Sequence, residues 1–245
     1  MITRPASTPA LQPSLLLVGF GAFGRLCARL LAPHLRLAVC DPDPQAGALA
    51  RQMGLALAAP EAAGDFDFVL LAVPVPALEP SLRRIAPHLR AGQMVLDVCS
   101  VKEGPAALML RLLPESVQLL ATHPMFGPQS CTGAPAGGRV VLCPLRGEWR
   151  RVAGFLRRLG LRPILSTPQD HDRHAAMTQG LTHLLARAMA GFDPHPAIRT
   201  RSFDLLMQAL AMVGQDAPEV YEAVTRGNAH VAPLRERLMR NLAQG

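Results

Sequence analysis

Leu15-Leu16-Leu17-Val18-Gly19-Phe20-Gly21-Ala22-Phe23-Gly24 is a short apolar run that breaks into glycines spaced G-x-G-x-x-G. The run has the length and composition of a buried strand, and the glycines lead into a segment of helical period. In that setting each glycine has a task. Gly19 makes the turn, Gly21 lets backbone N–H groups approach a pyrophosphate, and Gly24 allows close helix packing. The motif, with Phe20, Ala22 and Phe23 between its glycines, is the candidate cradle for a dinucleotide. Asp41 closes the next apolar segment about twenty residues on, where a carboxylate receives the ribose diol and repels a 2'-phosphate. NAD is therefore expected over NADP, the more so because Pro42-Asp43-Pro44 follows and no basic residue does. A plain turn at Asp41-Pro42 is the alternative reading of that carboxylate.

Outward from this motif, short β-branched or leucine-rich runs alternate with longer helical ones. Strands are predicted at 15–19, 35–40, 66–73, 94–99, 117–122, 139–143 and 161–166, with helices at 23–32, 44–53, 75–89, 105–113 and 148–159 between them. Such alternation, with strands apolar on both faces, predicts a doubly wound parallel sheet of Rossmann type covered by helices. After Ser166 the pattern is helical only. Thr167-Pro168-Gln169-Asp170 combines an N-cap, a proline at the first helical position and an acid in the first turn. Helices are expected from there to about Ala190 and at 202–213, 218–226 and 231–242. The expected organisation is a flexible tail over 1–13, a dinucleotide-binding domain over 14–166 and a helical substrate and dimerisation domain over 167–245. So short a helical segment buries its own apolar faces poorly, which predicts a homodimer.

Composition narrows the function. The 245 residues are 49% hydrophobic and 18% charged, with a mean hydropathy of +0.20, too apolar for disorder and enough for one or two domains. No apolar stretch near the N-terminus has the length of a membrane span or a secretory segment, so a cytoplasmic protein is expected, with no membrane partner. Five cysteines without a CxxC pair indicate neither a disulfide framework nor a zinc ribbon. A net charge of +7 would suit nucleic acid, but the arginines are scattered and aromatics are only 4%, so an anionic small-molecule substrate is the better expectation. Of the 25 basic residues, only Lys102 is lysine. Chance explains that, as does a position that takes a compact ammonium and not a guanidinium fork.

Two further motifs close predicted strands, where open α/β sheets bind their ligands. They are Asp97-Val98-Cys99-Ser100-Val101-Lys102 and Thr122-His123-Pro124-Met125-Phe126-Gly127-Pro128. Pro124 keeps His123 out of helical conformation and leaves its imidazole at the sheet edge, as a reactive or a structural histidine. His171 and His174, three apart and flanked by Asp170 and Asp172, have the spacing of a metal half-site. No second ligand pair accompanies them, so helix capping and surface contacts are expected there and no metal.

Together these segments resemble the prephenate and arogenate dehydrogenases of tyrosine biosynthesis. The resemblance runs through the G-x-G-x-x-G, Leu71-Ala72-Val73-Pro74, the D-x-x-S-x-K of Asp97 to Lys102, the T-H-P-M-F-G-P of Thr122 to Pro128, and His171-Asp172-Arg173-His174-Ala175-Ala176 with Leu181-Thr182-His183. It implies that His123 is the catalytic histidine, that Ser100 hydrogen-bonds it and the substrate hydroxyl, and that His183 reaches the substrate pocket. It places Val73, Pro74 and Ser100 beside the cofactor, with Lys102 near the substrate. It also implies an arginine on a substrate carboxylate, for which Arg199 and Arg201 are the candidates. The implied reaction is oxidative decarboxylation of prephenate to 4-hydroxyphenylpyruvate with hydride transfer to NAD+. An arogenate dehydrogenase or a dual cyclohexadienyl dehydrogenase is the near alternative. In the plant arogenate enzymes an acid shortly after T-H-P-M-F-G-P receives the substrate amine; Gly133 stands at about that position, which favours prephenate. Remoter alternatives are a β-hydroxyacid-type dehydrogenase, whose lysine has no counterpart after residue 102, and a non-catalytic NAD sensor, which has no use for His123 with Ser100.

Overall fold

Alternate residues of strand β1 (Ser14–Val18) point to opposite faces of the sheet and both faces are covered. Leu15 and Leu17 enter one apolar core, Leu16 and Val18 the other. The computed structural model of the chain describes residues 12–131 and 136–244. The tail expected at 1–13 lies almost wholly outside the described residues, and so does Gly133. From β1 the chain runs through α1 (Ala22–Leu31), β2 (Arg36–Cys40), α2 (Pro44–Gln52), β3 (Ala56–Leu57), β4 (Phe68–Leu71), α3 (Val75–Ile85), β5 (Met94–Asp97), α4 (Glu103–Leu112) and β6 (Gln118–Pro124). The strands lie in the order β3-β2-β1-β4-β5-β6, all parallel, so the sheet reverses its winding between β1 and β4. Ligands of doubly wound sheets bind at such a reversal, beyond the C-terminal strand ends. Gly19, Val73 and Ser100 all follow those ends.

The sheet continues through β7 (Arg139–Arg146), α5 (Arg150–Arg158) and β8 (Arg162–Leu165), with β8 parallel to β7. The sheet is parallel as expected but for one pairing, since β7 runs antiparallel to β6. The physical reason is the connection. A parallel return takes a crossover, usually a helix, whereas the sequence of residues 125–138 is rich in glycine and proline and has no helical period. The two-residue β3, exposed at the sheet edge, carried no sequence signal.

From Pro168 onward the described chain is helical: α6 (Pro168–Ala175), α7 (Leu181–Ala188), α8 (Arg201–Gly214), α9 (Pro218–Thr225) and α10 (Val231–Gln244). Thr167 caps α6 as expected, its hydroxyl accepting from Asp170 N–H. The single helix expected up to Ala190 is instead α6 and α7 joined by a π-helical turn over Ala176–Gly180. Such turns are frequent at functional sites, and this one carries Thr178 and Gln179. Gly180 lets α10 approach closely, since a Cβ there would lie 2.6 Å from a Val231 methyl. Phe192, Ile198, Leu205, Leu206, Met239 and Leu242 leave a large apolar area exposed on this helical part.

Candidate active site

The glycine turn has the properties its spacing predicts. Gly19 has φ +94°, and a Cβ on it would stand 2.5 Å from the Ala72 carbonyl oxygen. A Cβ on Gly24 would meet the Gly19 oxygen, so α1 packs directly on the turn. Gly21 differs, because a Cβ there would meet nothing within 4 Å: the space in front of it is open. Gly21 is also the N-cap of α1 and no side chain caps that helix, so its first N–H groups are available to an anion. Asp41 accepts from Phe20 N–H at 2.6 Å and from Asp43 N–H at 2.8 Å, which ties the end of β2 to the turn. These features fit a dinucleotide pyrophosphate and its ribose. One residue of the motif is corrected: the Phe20 side chain is fully buried in the core, and only its backbone takes part.

Beyond β5 and β6 a buried ion pair of the first motif is hydrogen-bonded to Thr122 of the second. Lys102 has no exposed surface; its ammonium bonds the Asp97 carboxylate and donates to the Thr122 carbonyl at 2.7 Å. Asp97 also accepts from Cys99 N–H at 2.9 Å and Thr122 N–H at 3.2 Å. The expectation that Lys102 contacts substrate is therefore corrected: the lysine lies behind the strand ends and fixes the residue preceding His123.

His123 is buried beside it, and its Nδ1 lies 2.8 Å from Nε2 of His171. Nδ1 of His171 in turn lies 2.7 Å from Asp172 Oδ1. Asp172 also accepts from Lys102 N–H at 2.7 Å and Glu103 N–H at 2.9 Å. Burial alone would raise the Asp172 carboxyl, but the bond from His171 and the two backbone amides hold it below its usual range. Burial, the neighbouring His171 and the Lys102 ammonium together hold the His123 imidazole well below its ordinary value of 6.5. His123 is thus neutral at physiological pH, as a base has to be. His174 is exposed, in line with a surface role, whereas His171 and Asp172 are not the capping and surface residues expected of them. Adjacent buried polar residues at a helix start are the signal that marked them, and their partner is 48 residues away.

His123 opens onto a cleft of about 580 Å³ between the strand ends and the helical part. Gly21, Ala22, Phe23, Val73, Pro74 and Ser100 line one side, and Thr178, Gln179, His183 and Asp216 the other. His183, buried, has both nitrogens facing acceptors, the Gln179 carbonyl at 2.9 Å and Asp216 Oδ2 at 3.1 Å. Gln179 Oε1 is buried and has no hydrogen-bond partner among the described residues, an acceptor open to a ligand's donor. Ser100 shares the cleft but makes no direct bond to His123, whose Nδ1 faces His171. Neither candidate arginine lines the cleft. Arg199 pairs with Asp204 at 2.9 Å and Arg201 is exposed at the start of α8, while Met212 and Val213 face the cleft from that helix. A larger groove of about 930 Å³, over the sheet between α1 and α5, is mostly apolar and contains neither His123 nor Ser100.

Residues 28–165 match the family model described as "Prephenate dehydrogenase, nucleotide-binding domain", more than half of the chain. The chain belongs to the prephenate/arogenate dehydrogenase family. Among curated members, the "Probable arogenate/prephenate dehydrogenase" of Methanocaldococcus jannaschii is 38% identical over 128 residues, covering 50% of this chain and 28% of that protein. "Arogenate dehydrogenase 1, chloroplastic" of Arabidopsis thaliana is 29% identical over 249 residues, 95% of this chain and 38% of that protein. The chain thus spans well under half the length of these two relatives. Of the solved structures, Aquifex aeolicus prephenate dehydrogenase in complex with hydroxyphenyl propionate and NAD+ superposes with a TM-score of 0.75 at 20% identity, over 97% of this chain and 90% of that one. Synechocystis arogenate dehydrogenase gives 0.68 at 22%, over 94% and 90%. These likenesses show the fold: a Rossmann-type sheet with a helical C-terminal part. Among the described residues no helix is long and apolar enough to cross a membrane.

Proposed function

We propose that the chain oxidises a cyclohexadienol carrying a ring carboxylate, with NAD+ as acceptor and loss of that carboxylate, a step of tyrosine biosynthesis. The observation that carries this reading is a buried, neutral His123 opening onto the same cleft as the uncapped glycine turn at Gly21. The open space at Gly21, the α1 N-terminus and Asp41 would hold the dinucleotide. Bound there, NAD+ supplies the oxidising power by accepting a hydride. His123 Nε2 takes the hydroxyl proton, and Ser100, which lines the same cleft, hydrogen-bonds the hydroxyl oxygen. The C4 carbonyl that forms is an electron sink for decarboxylation, and aromatisation makes the step irreversible. No lysine or arginine lines the cleft among the described residues, and His183 stands on its wall, held by the Gln179 carbonyl and Asp216.

Prephenate is the substrate proposed from Gln129-Ser130-Cys131-Thr132-Gly133-Ala134, which contains no acid. A second reading, L-arogenate, is favoured by Asp216 and Glu219 on the cleft wall and by the unpartnered Gln179 Oε1, all suited to an ammonium. NADH formation followed with each substrate, for wild type and His123→Asn, tests both levels. Loss of kcat by about a hundredfold or more in the variant, with NAD+ binding retained, is expected. Turnover with neither substrate, or a variant that keeps most of its turnover, overturns the reading; the kcat/KM ratio chooses the substrate.

A further inference from the structure

With a single ring hydrogen on His171, the protons along His123, His171 and Asp172 follow from what each atom can do. Asp172 is anionic and acceptor-only, so His171 Nδ1 carries a hydrogen and donates it to Oδ1. With that one hydrogen on its ring, His171 presents a lone pair at Nε2, and the 2.8 Å contact is then a bond only if His123 Nδ1 carries the hydrogen. The lone pair of His123 is left on Nε2. The opposite tautomer of His123 would set two lone pairs against each other at 2.8 Å, or, if His171 turned over as well, a lone pair against the Asp172 carboxylate. Either arrangement replaces a buried hydrogen bond by a repulsion.

We propose that His171, oriented by Asp172, is a positioning residue that fixes the tautomer of His123, so that the lone pair stands on Nε2. The proposal rests on the reading of His123 as the base. His171 lies in the first turn of α6, where the Thr167 cap and Pro168 set the start of the helix, and Asp170, Arg173 and His174 of that turn stay outside. The Asp172 carboxylate that orients His171 also grips the backbone N–H groups of Lys102 and Glu103, just beyond Ser100. Asn228 holds the Asp172 carbonyl at 2.7 Å from the far side. One carboxylate therefore registers α6 against the strand-end loop and, through His171, sets the protonation pattern of the base. The tautomer is correct only when the helical part is docked on the sheet.

Two measurements test this. In 15N-labelled wild-type protein at neutral pH, long-range proton–nitrogen correlation of the imidazoles, with His123 assigned from its loss in His123→Asn, is expected to show protonated Nδ1 and unprotonated Nε2. A proton on Nε2 of His123 overturns the proposal, whatever the enzyme's activity. In kinetics, His171→Phe keeps a ring of similar shape but no acceptor. A fall in kcat of about a hundredfold or more, with KM for NAD+ and substrate changed by less than about threefold, is expected. His171→Gln, whose amide oxygen accepts from Nδ1, is expected to recover part of that loss. Wild-type kcat in a folded Phe variant, or a folded Gln variant no better than Phe, counts against the proposal; if neither variant folds, the wild-type spectrum decides alone. Retained turnover in His123→Asn instead overturns the base assignment and leaves the tautomer measurement standing.

Discussion

Replacing Lys102 tests why one lysine persists among 24 arginines. Its side chain is wholly buried and makes two polar contacts, to the Asp97 carboxylate and the Thr122 carbonyl. In Lys102→Met the carboxylate stays buried without its cation, a loss that costs about 3–5 kcal/mol. Asp97 retains its bonds from Cys99 N–H and Thr122 N–H, which places the expected cost near the lower end, about 3 kcal/mol. In a chain of this size that corresponds to a fall in Tm of about 6–12 °C. Lys102→Arg keeps the charge and is still expected to destabilise. The guanidinium has five donors for two acceptors, each orphan costing about 1–3 kcal/mol, and the longer fork overfills the site by a similar amount. Urea denaturation followed by circular dichroism, with thermal melts of both variants, measures this. A Lys102→Arg protein as stable as wild type, or Lys102→Met within about 1 kcal/mol of it, would refute the account of this site.

Gly21→Ala is expected to melt like wild type and to bind NAD+ at least about tenfold more weakly, because its Cβ meets no protein atom but fills the space proposed for the pyrophosphate; unchanged affinity in a fluorescence titration removes the cradle. Asp41→Asn is expected to narrow the preference for NAD+ over NADP+ and leave turnover measurable, and a wild type with higher kcat/KM for NADP+ sinks that assignment. Stability is expected to depend on pH through His123 and Asp172. The folded His123 value lies below the unfolded 6.5, so the unfolded chain binds more protons and Tm falls as pH drops below 6.5. Asp172, also depressed, adds a second loss as pH falls below 3.8 towards its folded value. A Tm constant from pH 8 to 5 contradicts this. The exposed Phe192, Ile198 and Leu242 support a proposed homodimer through residues 167–245, and light scattering that finds a monomer at micromolar concentration rules it out.

Local chemistry wrote much of this molecule into its sequence. Apolar runs on both faces specify a covered parallel sheet, glycine spacing specifies the turn after β1, and Thr167-Pro168 specifies where α6 begins. Each of these depends on neighbours a few residues away, so each is legible in one dimension. The antiparallel β7 is legible too, because the glycine- and proline-rich sequence between Pro124 and Arg139 has no helical period to support a parallel crossover. Other features depend on which distant atoms meet. Lys102 belongs to the buried frame and not to the substrate because Asp97 and the Thr122 carbonyl close around its ammonium. Arg199 is drawn to Asp204 and away from the cleft by a pairing invisible in the pattern of its own segment. His171 and Asp172 read as helix-start surface residues until folding sets α6 against the ends of β5 and β6. Only then does a buried carboxylate fix the hydrogen on His171, and through it the one on His123. Hydrogen-bond partners far apart in the chain, and the proton positions they dictate, are properties of the tertiary structure alone.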